Sequence, residues 1–252
     1  MKVIVVNEWL GLFRNKLFLF ASFFFAIFLS FVTYLGILQN NIQNNEQEFA
    51  HDHIRAQWDE MEDSNPHSAA HYGSYAFKPL NVLNSIDEGV NSVTGNVLRL
   101  EGHRQNDIVF SEASQSLMIS KFGKLKPSLI FQFIIPLFLI FLSFNSYNSE
   151  RKSGRLKLLL AQNISLKKIL FSKIFSIWLI GVALLFITIL MQLFFNSNFL
   201  DFDIFSRLIL IFISYSIYYF ILISLTLFLS VAFNSSTASL SITLLIWVFW
   251  TI

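Results

Sequence analysis

The sequence predicts an all-α polytopic membrane protein that carries a small mixed α/β insert outside the membrane. Hydrophobic residues make up 54% of the 252-residue chain and charged residues only 13%, whereas soluble domains carry about 25% charged residues. The apolar residues are concentrated in runs close to the roughly 20 residues that a helix needs to cross a bilayer core. The insert between the first two runs has the opposite composition, because it contains 12 of the 16 acidic residues and all five histidines.

Five apolar runs are interpreted as membrane spans. They cover residues 17–38, 128–144, 174–195, 208–233 and 238–252. The first run is too long for a signal peptide and lacks a small-residue cleavage pattern, so we expect it to be retained. The last run is short for a span, and we expect the native protein to continue beyond Ile252. Within the runs there is no Asp, Glu, Lys, Arg or His, which argues against a proton- or ion-coupled carrier.

Basic residues near the ends of the spans predict a cytoplasmic amino terminus, by the positive-inside rule. One side would carry ten of them: Lys2, Arg14, Lys16, Arg151, Lys152, Arg155, Lys157, Lys167, Lys168 and Lys173. The other side would carry four: Lys121, Lys124, Lys126 and Arg207. Residues 1–16 combine apolar side chains with Trp9 and flanking charges, which predicts an amphipathic helix in the membrane interface. A cytoplasmic extension of the first span is the alternative.

Residues 39–127 are therefore expected to form an extracytoplasmic domain. Apolar residues at near-helical spacing predict that the first span continues into this domain as a helix, as far as Met61. A second, short helix is expected to begin after Asn65 as its cap, with Pro66 in the first helical position. Gly73 is expected to end this helix.

The rest of the insert is predicted to contain short extended pieces between glycines, including residues 96–100. From Glu112 a helix is expected to lead back to the membrane. We expect a small core of its own in this domain, built from Trp58, Tyr75, Phe77, Leu80, Leu83, Ile86, Val97, Leu98 and Leu100.

Three histidines of the insert are candidate metal ligands. His67 and His71 lie four residues apart in the predicted short helix and so share one face, a spacing that can hold copper or zinc. His103 could join them from elsewhere in the insert. The alternative is structural, with these histidines capping turns and bonding to the backbone. No arrangement of catalytic side chains is recognisable, and the chain has no glycine-rich phosphate loop with which to bind ATP.

The loop between the second and third spans, residues 145–173, carries the most informative pattern. Its notable residues are Glu150, Gly154, Arg155, Leu156, Leu159, Leu160, Lys167 and Lys168. We expect residues 150–154 to be too polar to continue the helix of the second span. The three leucines would then form one apolar face of a short helix. Such a face, exposed in the cytosol, predicts docking into a groove of a partner protein; packing along the membrane surface is the alternative.

This loop resembles the segment after the second span of type-2 ATP-binding-cassette (ABC) permeases. The acid–base pair, the glycine, the leucine-rich short helix and the basic helix start all match, and Lys173 matches the lysine before the third span. Two positions depart from the pattern, since Arg155 stands where threonine is usual and Asn163 where proline is usual. Asparagine also ends helices, so the second departure preserves the break.

Two segments of the insert, 65–73 and 101–106, resemble motifs of a bacterial subfamily with a large outer domain, often grouped with permeases of multicopper-enzyme maturation. The resemblance extends over essentially the whole chain. It implies a type-2 ABC exporter bundle with six spans, a second permease subunit (as a homo- or heterodimer), and separate ABC ATPase subunits. The eight loop residues named above would be the ATPase-coupling residues.

The sequence and the resemblance together predict the permease subunit of a bacterial ABC exporter, a multi-pass protein in contact with lipids of the inner membrane. The chain itself would not be an enzyme, since ATP would be bound and hydrolysed by the partner. A net charge of +2 gives no reason to expect nucleic acid. The alternative is a membrane-anchored sensor or assembly factor whose outer domain binds a ligand or a partner protein.

Overall fold

The computed structural model describes residues 2–63, 65–104, 125–195 and 201–251. Its helices are α1 (Lys2–Arg14), α2 (Lys16–Asp59), α3 (Pro66–Tyr72), α4 (Asn91–Thr94), α5 (Pro127–Lys152), α6 (Arg155–Ala161), α7 (Leu166–Phe195), α8 (Phe202–Ala232) and α9 (Ser236–Thr251). A 3₁₀ turn (Val82–Ser85) and two strands, β1 (Ser74–Phe77) and β2 (Val97–Leu100), complete the described elements. Helices α2, α5, α7 and α8 are long and apolar enough to cross a membrane, and α9 is a shorter apolar helix. The predicted helical membrane class is confirmed; the number of spans and the side on which the insert lies stay predictions.

Helix α7 is central to the bundle, because it packs against α1, α2, α5 and α8. The close approach of α7 to its neighbours depends on Gly181. A Cβ atom at this position would lie 2.9 Å from the ring of Tyr219 on α8 and 3.0 Å from Leu139 on α5, closer than carbon atoms normally pack. Both of these neighbours are fully buried. A small residue at a helix crossing lets backbones pack closely in membrane proteins.

Helix α5 contains a π-helical segment, Ile130–Ile134, directly before Pro136. Proline has no amide hydrogen, so Pro136 cannot bond to the carbonyl oxygen of Gln132 four residues earlier. Tyrosines of α8 bond to carbonyls in this segment: the Tyr219 hydroxyl donates to Phe131 O at 3.0 Å, and the Tyr218 hydroxyl donates to Gln132 O at 3.4 Å. In a membrane, neighbouring helices commonly satisfy the groups that proline leaves free.

The beginning of the insert agrees with the sequence prediction. Helix α2 has 44 residues, or about 66 Å, so it continues well beyond the length of a span. The Asn65 side chain caps α3 by accepting a hydrogen bond from His67 N at 2.8 Å, Pro66 occupies the first helical position, and Gly73 follows the helix at φ +77°. Strands β1 and β2 pair antiparallel, with Ser74 opposite Leu100. The helix expected from Glu112 lies outside the described residues.

The predicted core of the insert is wrong for several of its members. Trp58, Tyr75 and Leu100 are 41%, 42% and 51% exposed. Ile86 is buried, but it belongs to the cluster of apolar residues formed by the span helices. The insert therefore packs its 3₁₀ turn against the end of the bundle, chiefly against α2, where it gains the buried surface that so few residues could not create alone.

Gly36 of α2 and Gln192 of α7 contact the 3₁₀ turn of the insert. The carbonyl oxygen of Ser85 lies so close to Gly36 on α2 that a Cβ atom there would overlap it. The Ser85 hydroxyl donates to Gln192 Oε1 on α7 at 3.1 Å, and both residues are fully buried. The insert is thus fixed to two span helices at one end of the bundle.

Candidate functional site

The helix that contains the second predicted span extends beyond residue 144, where the sequence analysis ended the span. The helix turns briefly at residues 144–145 and then continues as a helical segment, Ser146–Lys152. The prediction that residues 150–154 are too polar to continue the helix is therefore wrong for residues 150–152. The reason is that the polar residues of this turn of helix find partners inside the protein. Glu150 pairs with Lys173 of α7, and Asn148 bonds to α8.

A buried cluster of three charged groups lies at this end of the bundle. Lys173 of α7 is 1% exposed. Its Nζ atom donates to Glu8 Oε1 of α1 at 2.6 Å and contacts Glu150 Oε1 of α5 at 2.9 Å. It also donates to the Ser146 hydroxyl at 3.2 Å. The cluster therefore joins three helices that are far apart in the sequence.

The cluster holds one more negative than positive charge when all three groups are ionised. Burial raises the pKa of the Glu8 carboxyl above its ordinary value, Lys173 opposes this shift, and the negative charge of Glu150 adds to it. Oε2 of Glu150 is buried and has no hydrogen-bond partner among the described residues. Removing one member of such a buried group costs about 3–5 kcal/mol, because a charge is left uncompensated.

Helix α1 is held in place by a further contact. The indole nitrogen of Trp9 donates to the carbonyl oxygen of Ser176 on α7 at 3.1 Å. On α1 the apolar residues Val3, Val6, Leu10 and Phe13 are at least 48% exposed. This exposed apolar face supports the prediction of a helix in the membrane interface.

The end of α5 is also bound to α8 and α9. The Asn148 side chain is fully buried and donates to the Ser230 hydroxyl at 3.2 Å. Arg151 donates to Asn148 Oδ1 at 2.7 Å and to Phe233 O at 3.2 Å, beyond the last residue of α8. A cation at a helix carboxyl end is favourable because it satisfies free carbonyl groups. The Ser236 hydroxyl of α9 donates to Asn145 Oδ1 at 2.7 Å.

The short helix α6 has backbone breaks at both of its ends. Gly154 precedes it at φ +77°, and Asn163 follows it at φ +60°. Glycine adopts the left-handed region freely, and asparagine tolerates it better than most residues. The amide of Ile164 bonds to Leu159 O at 3.2 Å, which closes the last turn. The predicted break at Asn163 is confirmed, and Leu166 begins α7.

The predicted single exposed face of three leucines on α6 is wrong. Leu156 is 7% exposed and packs into the core of the bundle, and Leu159 is half-buried against it. Leu160 is 45% exposed, and Leu158, which the sequence analysis did not select, is 65% exposed. A helix of only two turns next to the bundle must bury one side, so its apolar residues are divided between the core and the surface.

Exposed basic residues precede, accompany and follow the exposed leucines of α6 along the chain. Five are exposed: Lys152, Arg155, Lys157, Lys167 and Lys168. A cleft of about 750 Å³ separates α6 from α1. Leu158 and Arg155 line it on one side, Gly11 lines it on the other, and the charged cluster contributes Glu8, Glu150 and Lys173 to its lining. We call this region, from the end of α5 to the start of α7, the basic loop.

The structure brings the three candidate metal ligands together at the insert. The Nε2 atoms of His67 and His71 are 3.3 Å apart. The ring centre of His103 lies 5.5 Å from each of the other two rings. One ring nitrogen from each histidine lies within 4.8 Å of the others, and all three residues are exposed.

Sequence reasoning missed several residues of the polar cluster at the basic loop. Glu8 is the only acid before Glu46 and stands in a basic segment, while Glu150 is the only acid in the loop. Two solitary acids among lysines could have suggested partners for Lys173. Asn148 and Arg151 gave no such signal, because their partners on α8 are 82 residues away.

Comparisons with known proteins give one match. A family model described as "ABC-2 family transporter protein" matches residues 2–252, nearly the whole chain. Neither the curated proteins nor the solved structures include a match to the chain.

Proposed function

The chain belongs to the ABC-2 family of transporter proteins, and from that premise we propose that it is the transmembrane permease subunit of a bacterial ABC exporter, driven by a separate ATPase that docks on the basic loop. The observation that carries the proposal is α6. It presents two exposed leucines at one end of the bundle, in a segment that also carries five exposed basic residues. The uncharged spans require an energy source outside the membrane, and ATP hydrolysis by a partner would supply it.

The docking surface consists of Leu158, Leu160 and the five exposed basic residues of the basic loop. Each leucine contributes roughly 1.5–3 kcal/mol when a partner removes it from water. The basic residues favour a partner groove with acidic side chains and speed the encounter with it. A short helix that enters a groove of its partner is a common form of recognition.

The contacts at the end of α5 offer a route from the docked ATPase to the spans. Helix α6 follows α5 after Gly154 and is followed by α7 after residues 162–165. Displacement of α6 would move both helices, and the charged cluster would transmit this movement to α1. Arg151 and Asn148 would transmit it to α8. Nucleotide-dependent closure of the ATPase would then favour one arrangement of the bundle over another.

Copurification tests the docking proposal. The tagged chain is extracted from native membranes in mild detergent, and bound proteins are identified by mass spectrometry. We expect an ABC ATPase to copurify with the wild-type chain. In the Leu158→Asp, Leu160→Asp variant the ATPase should be lost, while the chain still elutes as a single species, because both side chains are exposed in the folded protein.

Two controls separate docking from folding. The Val90→Asp, Leu100→Asp variant changes two residues of similar exposure at the insert and should keep the ATPase. Leu156→Asp places a charge in the core and should prevent folding instead. If the Leu158→Asp, Leu160→Asp variant keeps both the ATPase and its hydrolytic activity, the basic loop is not the docking site. Copurification of a signalling kinase without an ATPase would favour the alternative function, a membrane-anchored sensor.

We further propose that the basic loop and the amino terminus are cytoplasmic and that the insert is outside. The chain contains no cysteine, so single cysteines can be introduced at exposed serines. Ser68→Cys, on α3, should react with a membrane-impermeant maleimide in intact spheroplasts. Ser153→Cys, beside α6, should react only after the membrane is permeabilised. The reverse pattern would contradict both the topology and the proposed docking.

We propose a second permease subunit as a further partner, packed against one side of the bundle. A cavity of about 320 Å³ opens there between α5, α8 and α9, and exposed Gln132 and Ser214 line it together with Tyr218 and Thr251. The Ser214 hydroxyl already donates to Leu210 O at 2.8 Å, but an amide side chain such as that of Gln132 is costly to leave facing lipid. A second subunit packed at this position would cover it. Crosslinking between cysteines introduced at Ser214 of two tagged copies would test a homodimer.

A further inference from the structure

The geometry of the three insert histidines matches that of a metal site. Zinc–imidazole bonds measure about 2.0–2.1 Å, so two nitrogens in a tetrahedral zinc site lie about 3.3–3.4 Å apart. The Nε2 atoms of His67 and His71 are 3.3 Å apart. His103 has a ring nitrogen within 4.8 Å of both, and rotation about its side-chain bonds would bring it closer.

The three rings have no hydrogen-bond partner among the described residues other than each other. The hydrogen bond between His67 and His71 is the only one that any of the three rings makes in this part of the chain. The structural alternative for these histidines requires bonds to the backbone, and such bonds are not present there. All three are exposed, so burial does not explain why three imidazoles converge from two separate segments.

The backbone around His103 holds this residue against α3. His103 has a φ of +61°, a backbone conformation that residues other than glycine adopt uncommonly and at a cost. The amide of Gly102 donates to the carbonyl oxygen of Ala70 on α3 at 2.8 Å, and a Cβ atom on Gly102 would lie only 3.3 Å from Ala70 Cβ. The turn is thus fixed to α3 through contacts that do not involve the imidazoles.

The turn is also fixed at its base by the sheet and by ion pairs. Strands β1 and β2 pair directly before it, and a bridge joins Glu101 to Arg104 on its two sides. The Glu101 carboxylate contacts Arg99 at 3.2 Å and Arg104 at 3.6 Å. A strained residue is retained only where its surroundings hold it in place. His103 is such a residue, and the contacts of the turn hold it next to His67 and His71.

We propose that His67, His71 and His103 together bind one divalent transition-metal ion of the zinc or copper kind. Imidazole nitrogen suits both of these metals. Three histidines leave a fourth position for water or for a ligand that the insert receives, as in zinc sites that are not purely structural. The ion links α3 to the turn after β2 and so stabilises the folded insert, since a ligand that binds only the folded state shifts unfolding to higher temperature.

The test uses the full-length chain in detergent, purified without a histidine tag and stripped with a chelator. ZnCl₂ and CuCl₂ are titrated separately by calorimetry, and the bound metal is counted by mass spectrometry after desalting. One ion per chain is expected, with a rise in melting temperature. The preferred metal is identified by which of the two salts gives this result.

Three variants make the test specific. His71→Ala removes one ligand from α3, and His103→Asn removes the third ligand while keeping a residue that tolerates a positive φ. Each should weaken binding by more than the roughly 10–100-fold that loss of an outer hydrogen-bond partner costs. The His51→Ala, His53→Ala variant removes two exposed histidines of α2 and should bind as the wild type does.

Three outcomes would overturn the proposal. One is the absence of one-to-one binding of either metal to the wild-type chain. The second is unchanged affinity in both His71→Ala and His103→Asn. The third is loss of the bound ion in the α2 control, which would assign the metal to other histidines. None of these outcomes depends on the ATPase, so the permease proposal and the metal site can fail separately.

Discussion

Two lysines, Lys173 and Lys126, are almost fully buried at opposite ends of the bundle, at 1% and 2% exposure. At the basic loop, Lys173 joins carboxylates of α1 and α5 that are 142 positions apart in the chain, Glu8 and Glu150. At the insert, Lys126 contacts the Glu88 carboxylate at 2.9 Å and donates to the carbonyl oxygen of Asn84. Each lysine attaches a flanking segment to the spans, yet the surroundings differ.

The difference is that the insert adds a close backbone fit to its buried ion pair. At the basic loop, α1 is held to α7 by the Glu8–Lys173 ion pair and by the Trp9 hydrogen bond, next to a cleft. At the insert, the buried 3₁₀ turn also fits against the backbone of α2 at Gly36 and bonds to Gln192. Charge contacts can reorganise as a partner moves α6, whereas a close backbone fit has few alternative arrangements. The basic loop is therefore the end that we expect to move.

The largest effect is expected for Lys173→Met. The substitution leaves Glu8 and Glu150 buried without their cation, which should cost about 3–5 kcal/mol. Thermal unfolding in detergent, followed by tryptophan fluorescence, would measure the loss. Lys168→Met, an exposed lysine of the same helix, is the matched control and should change little.

The neutral triple variant sharpens this prediction. Glu8→Gln, Lys173→Met and Glu150→Gln together remove all three charges, so much of the lost stability should return, as replacement of a complete buried ion group by neutral residues often does. If the triple variant is as unstable as Lys173→Met alone, uncompensated charge is not what holds this end of the bundle.

A smaller loss is expected for Gly36→Ala at the insert. The added methyl group would overlap the carbonyl oxygen of Ser85, a backbone atom that cannot rotate away. Overpacking of this kind costs about 1–3 kcal/mol. Gly11→Ala in α1 meets no atom within 4 Å and should instead stabilise its helix by about 0.5–1 kcal/mol. Equal melting temperatures for the two variants would show that the insert is not held by close fit.

Local features of the fold could be predicted from the sequence, because local interactions determine them. The Asn65 cap, Pro66 and the glycine end of α3 follow from helix-end chemistry, and the break at Asn163 follows from its tolerance of a left-handed backbone. The apolar runs predicted helices that could span a membrane, and the described part of the chain contains four. In these cases the deciding residues lie within a few positions of each other.

The errors concern residues whose partners are distant in the sequence. The side of α6 that faces the bundle cannot be derived from its own seven residues, so Leu156 was placed on the docking surface although it is buried. Glu150 was expected in an irregular segment because its ion pair with Lys173 of α7 was not foreseen. The insert was given a core of its own because its packing on α2 could not be seen in its composition.

The smallest effect is a difference in pH dependence between the wild-type chain and Glu8→Gln. Because the pKa of the Glu8 carboxyl is raised above 4.5 in the folded protein, the folded chain keeps a proton in a pH range where the unfolded chain has already lost it. The stability that this proton provides is fully present below 4.5 and is lost as the pH rises through the raised value. Glutamine cannot lose a proton, so the melting temperature of Glu8→Gln should rise relative to that of the wild type over this range.

The shift should be smaller than that of Lys173→Met, since Lys173 keeps the Glu150 carboxylate as a partner. Asp203→Asn, which removes an exposed carboxylate from α8, should show no comparable shift. A melting-temperature difference between wild type and Glu8→Gln that is constant from pH 4 to pH 8 would mean that the pKa of the Glu8 carboxyl is the same in the folded and the unfolded chain, and would contradict the prediction.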